Sequence, residues 1–149
     1  MGAVCVDASL AVKWLVNEEE SEPALAILES WLAGGVTLIA PTLLLYEVPS
    51  VLRRLTAHGK LTPERAWEGF QQLSAIGIEI ETPAALLWRA WGISGRFGLP
   101  TIYDAAYVAL AEMRGCPLYT CDRRLLRALG GRLPWVKSLA GPAQESLPP

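Results

Sequence analysis

The sequence predicts an α/β fold: a short, mainly parallel sheet covered on both faces by helices. Three observations predict it. The strand-like runs are apolar along their whole length rather than alternating, as in strands buried on both sides. Helix-like stretches separate these runs. No linker or internal repeat divides the 149 residues, a length that suits one domain with a sizeable core.

Residues 3–6 are the first β-rich run, followed by Asp7-Ala8-Ser9 and a helix over 9–16, with Asp7 or Ser9 available as its cap. A second helix spans about 22–33 and stops at Gly34-Gly35. Thr37-Leu38-Ile39-Ala40 reads as a buried strand, and Pro41-Thr42 opens a long helix ending near His58-Gly59. Thr62 and Pro63 pair an N-cap with proline at the first helical position, starting a helix to about 75. Ile78–Glu81 reads as an edge strand, 83–94 as a helix and Gly95–Pro100 as a loop. Thr101 opens a helix to Arg114-Gly115, followed by a strand over 117–120, a short helix over 122–129 and a last strand over 133–136. From Ala140 the chain is rich in Pro, Gly and Ser and reads as a frayed tail.

A hydrophobic fraction of 52% and a charged fraction of 19% exclude a disordered chain. No apolar run reaches the ~18 residues that cross a bilayer. The start, Met1-Gly2-Ala3-Val4-Cys5-Val6, lacks the basic region of a signal peptide and the Ser or Thr of a myristoylation signal. Cys5, Cys116 and Cys121 are odd in number and lack zinc-type spacing, so they read as reduced thiols of a cytoplasmic protein.

The acids are the informative residues. The chain has three aspartates, Asp7, Asp104 and Asp122, each at the edge of an apolar run. Asp7 and Asp122 follow strands, at the sheet edge where ligands bind in such folds. Helical spacing puts Glu47 on the stripe of Leu44, Val48, Val51 and Leu55, and Asp104 on that of Tyr107, Val108 and Ala111. Carboxylates on core-facing stripes are costly unless paired or bound to metal, and four in one cleft repel one another without a cation. An all-oxygen donor set suits Mg²⁺ or Mn²⁺. Each acid also has a local structural explanation: a helix cap for Asp7 and Asp122, a surface pair with Arg53 or Arg54 for Glu47, a helix-dipole contact for Asp104. The net charge is −2; with four carboxylates gathered on metal the rest of the chain carries +2. Arg supplies 10 of the 13 basic residues. Arg53/Arg54 and Arg123/Arg124, the latter in a cluster with Arg127 and Arg132, are candidate phosphate contacts, with a solvated helix face the alternative for each cluster.

The motifs Val4-Cys5-Val6-Asp7-Ala8-Ser9 with Lys13-Trp14, Pro41 with Glu47-Val48, Leu99-Pro100-Thr101-Ile102-Tyr103-Asp104-Ala105-Ala106-Tyr107, and Pro117-Leu118-Tyr119-Thr120-Cys121-Asp122-Arg123-Arg124 occur in one order. Together they resemble a PIN-domain ribonuclease, most closely the VapC-type toxins of bacterial and archaeal toxin–antitoxin pairs. The resemblance covers about residues 3–137. It implies a three-layer α/β/α sandwich, a PIN-like nuclease domain over 1–139 with a flexible tail over 140–149, and Asp7, Glu47, Asp104 and Asp122 around Mg²⁺ or Mn²⁺. It further implies Ser9 and Thr120 as hydroxyl supports, an RNA substrate, a homodimer and an antitoxin partner. Many relatives carry an Asn three residues after the second acid, where this chain has Pro49-Ser50. Proline inside a helix removes a hydrogen bond and kinks it, which bears on how Glu47 is aimed and on whether Ser50 stands in for a polar amide contact.

The expected chemistry is metal-assisted phosphodiester hydrolysis, leaving 3′-hydroxyl and 5′-phosphate ends if it follows the family. The one histidine, His58, reads as an exposed helix-end residue. Single-stranded RNA is the favoured substrate because its bases can splay onto aromatic groups; Trp14, Tyr46 and Tyr103 are candidates, with core packing the simpler role. Core packing is expected to account for most of the six tryptophans, with an interface for the rest. Two other classes fit less well. An aspartate-based phosphotransfer or phosphatase domain would use Thr120 and Lys137, but lacks adjacent acids and Asp-x-Asp. A non-catalytic PIN-fold module would hold RNA or protein with no need of the four acids.

Overall fold

The structure, a computed structural model, describes residues 2–139; the expected tail over 140–149 lies outside the described residues. The elements alternate as β1 (Ala3–Val6), α1 (Ala8–Leu15), α2 (Ser21–Ala33), β2 (Thr37–Ala40), α3 (Leu44–Ala57), α4 (Pro63–Ile76), β3 (Glu79–Ile80), α5 (Leu86–Phe97), α6 (Tyr103–Arg114), β4 (Leu118–Thr120), α7 (Arg123–Leu129) and β5 (Val136–Ser138). The strands form one sheet in the order β3-β2-β1-β4-β5. Every pairing is parallel, with Cys5 of β1 between Ile39 of β2 and Leu118 of β4. The short β3 is an edge strand, as its weak pattern suggested.

Parallel neighbours need crossover helices, and right-handed crossovers decide the face each helix takes. Moving from β1 to β2 and on to β3 carries α1–α4 over one face. The return to β4 carries α5 and α6 over the other. Accordingly α1, α2, α3 and α4 pack on one another, while α5 packs on α6 and α6 lies on β1 and β4. This is a three-layer α/β/α sandwich. Its core is continuous from Val4, Cys5 and Val6 through Leu10, Leu15, Ile39 and Leu44 to Leu110, Leu118 and Leu125, all 2% exposed or less.

Three of the boundary differences from the sequence pattern have a local cause. Helix α3 begins at Leu44, because Pro41-Thr42-Leu43 forms a lead-in turn whose carbonyls accept from Leu44, Leu45 and Tyr46. Helix α5 runs through Gly95 to Phe97 and ends at Gly98 in the left-handed region, φ 65°. Burial of Phe97 beneath the guanidiniums of Arg96 and Arg132 offsets the poor helix propensity of that glycine. Strand β5 starts at Val136, after Pro134, whose missing N–H disfavours pairing further upstream.

Leu110 on α6 is fully buried, so Leu110→Ala is expected to cost about 2–5 kcal/mol of stability, seen as an earlier urea midpoint. A midpoint unchanged by that truncation would show that α6 does not pack as described.

Candidate active site

The four acids lie along the carboxyl edge of the sheet, each at the N-terminal end of a helix. Asp7 ends β1 and caps α1; Asp122 follows β4 and caps α7. Glu47 lies in the first turn of α3 and Asp104 in the first turn of α6. In an α/β fold these helix starts all lie on one rim, and their partial positive charge favours carboxylates there.

Asp7 is the most constrained of the four. It is 3% exposed. Its Oδ1 accepts from the Ser9 hydroxyl at 2.7 Å and the Leu10 N–H at 3.1 Å, and its Oδ2 accepts from the Thr120 hydroxyl. The two hydroxyls are 3.2 Å apart. Ser9 Oγ in turn accepts from the Cys121 N–H at 2.9 Å, and Thr120 Oγ1 accepts from the Asp122 N–H at 3.0 Å. The polar chain therefore ties the end of β1 to the end of β4 and carries Asp122 with it. Ser9 and Thr120, which the resemblance implied as hydroxyl supports, both donate to the Asp7 carboxylate.

Burial pushes the Asp7 carboxyl up to about 6, against the lowering effect of its bonds to Thr120, Ser9 and Leu10, with Asp104 adding repulsion. Burial likewise pushes Asp104 up to about 6; the charges of Asp122 and Glu47 raise it further and Arg124 opposes them. These mutual effects bring all four acids into one electrostatic unit. Glu47, Asp104 and Asp122 are half-buried. Among the described residues, no three His, Cys, Asp or Glu side chains form a ready-made metal cage. The donor set nevertheless fits a hydrated hard cation: only carboxylates converge, and Asp7 uses three of its roughly four lone-pair positions on the protein. Burial pushes the nearby thiol of Cys121 up to about 12.

Residues 4–130 match the PIN domain family model. The chain belongs to the PIN-domain family. A VapC ribonuclease of Mycobacterium bovis is 31% identical over 122 residues, covering 82% of this chain and 87% of the relative. Ribonuclease VapC3 of Pyrobaculum aerophilum is 35% identical over 127 residues, covering 80% and 89%. Among solved structures, a Pyrobaculum aerophilum protein superposes with a TM-score of 0.67 at 22% identity, covering 94% of this chain and 93% of the other. Mycobacterium tuberculosis VapC20, described as a sarcin-ricin loop cleaving toxin, superposes at 0.62 with 17% identity, covering 84% and 94%. The likeness places this chain among PIN domains of the VapC type.

In this PIN domain the arginines do not act as one group. Arg124 is exposed and its charge reaches Asp104. Arg123 is engaged by Glu20 at 3.8 Å. Arg53 lines a groove between α3 and α4 with Trp67 and Phe70, about 9 Å along the helix from Glu47 at 1.5 Å per residue. Arg54 is exposed on the same helix. Trp14 is a core residue: it is buried, bonds the Ala24 carbonyl at 2.8 Å and meets Trp31 edge-on. Tyr46 and Tyr103 stay exposed beside Glu47 and Asp104. Core packing accounts for fewer tryptophans than expected, since Trp67, Trp88 and Trp91 are 59–77% exposed. Helical spacing alone did not separate a core stripe from an apolar surface stripe.

Pro49 leaves α3 helical through Ala57, and Ser50 turns back to donate to the Tyr46 carbonyl at 2.7 Å. Ser50 thus serves its own helix rather than the acidic cleft. Glu47 is met instead by Tyr107, whose hydroxyl donates to Oε1 at 2.6 Å. The tyrosine is 1% exposed, and burial with the Glu47 charge beside it pushes its phenol well above the usual range, so it remains a donor. Spacing put Tyr107 on the stripe of Asp104 without assigning it a role. The available signal was that a buried tyrosine hydroxyl needs a partner.

Asp7 and Asp104 are both raised from 3.8 to about 6. Between those values the folded protein binds more protons than the unfolded chain, so stability falls as pH rises through that window. Metal-free protein is therefore expected to melt at a higher temperature near pH 5 than near pH 7, and Asp104→Asn should flatten the difference. Melting that rises with pH over this interval would contradict the shifts.

Proposed function

We propose that the chain is a divalent-metal-dependent endoribonuclease and the toxin of a toxin–antitoxin pair, with Asp7, Glu47, Asp104 and Asp122 as its catalytic and metal-binding set. The observation that carries this is the joining of four acids from four helix starts, in a chain whose relatives are named VapC ribonucleases. When bound, Mg²⁺ or Mn²⁺ supplies Lewis acidity toward a phosphate oxygen and toward water. The chain's own residues do the holding. Ser9 and Thr120 fix Asp7, the α7 amides of Arg124 and Leu125 fix Asp122 at 2.9 and 3.1 Å, and Tyr107 meets Glu47. Arg124 is the cation best placed for the RNA phosphate. Tyr46 and Tyr103 offer exposed rings beside the acids for unstacked bases. Water adds to phosphorus as the bond to the 3′-oxygen breaks, leaving a 3′-hydroxyl and a 5′-phosphate.

A phosphotransfer domain is disfavoured because Asp7 is buried with both oxygens already accepting hydrogen bonds, a poor phosphate acceptor. The lone histidine, His58, is exposed at the end of α3, away from any acid–base pair. We place the protein's action in the cytoplasm, where RNA is met and free thiols such as Cys5 and Cys116 persist. No helix among the described residues is long and apolar enough to cross a membrane. Leu87, Trp88 and Trp91 form an exposed apolar face on α5, and Trp67 and Phe70 another on α4; a homodimer and an antitoxin are the partners that would cover such faces.

Purified protein is expected to cut single-stranded RNA with Mn²⁺, to stop with EDTA, and to lose roughly 100-fold or more in rate with Asp7→Asn. Cleavage that survives both treatments would overturn the assignment. For the α5 face, joint Trp88→Asp and Trp91→Asp substitution is expected to bring a dimer in light scattering down to the 16.2 kDa of one chain. A mass unaffected by the pair would move the dimer contact elsewhere.

A further inference from the structure

Glu47 lacks the backbone support that the two capping acids have. Asp7 and Asp122 accept backbone N–H groups as helix caps. Glu47 has a longer side chain with more rotatable bonds, rises from the first turn of α3, and is followed two residues on by Pro49, where the helix loses one hydrogen bond. Ser50, the polar residue nearest to it beyond the proline, is committed to the Tyr46 carbonyl. The contact that restrains the carboxylate comes from across the cleft: Tyr107 on α6, one turn past Asp104, donates to Oε1 at 2.6 Å. The ring is confined, because Tyr107 is 1% exposed and belongs to the buried core. Its hydroxyl is thus a rigid donor aimed from the opposite layer of the sandwich.

We infer that Tyr107 is a positioning residue: its buried hydroxyl fixes the rotamer of Glu47, so that the carboxylate meets the divalent cation in a set orientation despite Pro49. A carboxylate pinned at one oxygen presents the other with less orientational freedom, the role of outer-shell partners in metal sites. The bond also links α3 to α6, so the helix-borne pair Glu47 and Asp104 is held at constant separation by one side chain. This inference rests on the metal-dependent nuclease assignment for the same site.

The test is Mn²⁺ binding by titration calorimetry, with thermal melting alongside, on full-length wild type, Tyr107→Phe, Glu47→Gln, Asp122→Asn and the Tyr107→Phe combinations with each acid variant. Phenylalanine keeps the ring and removes only the hydroxyl, and Glu47 is accessible enough for water to replace it. Tyr107→Phe is expected to weaken Mn²⁺ binding about 10-fold with little change in melting temperature. The same loss should appear in the Asp122→Asn background and no further loss in the Glu47→Gln background. Affinity within about twofold of wild type, or an equal loss with and without Glu47, overturns the inference; a fall in melting temperature with unchanged affinity shows a structural role and overturns it too. Wild type that binds Mn²⁺ without cutting RNA overturns the nuclease assignment while the coupling still decides Tyr107. Wild type that binds no Mn²⁺ overturns both.

Discussion

A carboxyl group buried at the junction of the two central strands organises this protein. Asp7 follows β1, the middle strand of the sheet, and its oxygens accept hydrogen bonds from the hydroxyls of Ser9 and of Thr120 in β4. Burying a carboxylate is costly unless its lone pairs are satisfied. The residues that satisfy it are those that join the ends of β1 and β4. Through Thr120 the same chain reaches the Asp122 amide, so the sheet edge and the acid pair form together.

The sandwich topology does the rest. In a parallel sheet every crossover helix that follows a strand begins at the carboxyl edge, and α6, which runs down to β4, begins there as well. Four such starts carry four acids. Helix capping and metal binding are therefore compatible roles for Asp7 and Asp122: the capping bonds aim the carboxyls and leave lone pairs over. Burial raises Asp104 first, the charges of Asp122 and Glu47 raise it further, and Arg124 counters them.

Much of this was legible in the residues. The apolar runs 3–6 and 37–40 lie within one residue of their strands because continuous hydrophobicity is a strong local signal of a doubly covered strand. Thr62-Pro63 and Gly115 marked helix ends by their own backbone chemistry. Other features were not local. Gly95 reads as a loop until Phe97 is seen beneath two arginines, and the tryptophans at 67, 88 and 91 have core-like spacing yet face outward. Periodicity says which residues share a face, but not what that face meets.

The sequence by itself determined the fold class and the order of elements and singled out the four acids as candidates, because these depend on residue type and short-range spacing. Only the tertiary structure decided how the acids are held and which arginine's charge reaches them. Arg123 and Arg124 are adjacent and alike in the chain; one meets Glu20 and the other faces Asp104. The aim of Glu47 was left open by Pro49 and is met by Tyr107, 60 residues away. Both outcomes turn on groups from different layers coming within a few ångströms, a separation that strand order and crossover handedness establish and that spacing along the chain does not encode.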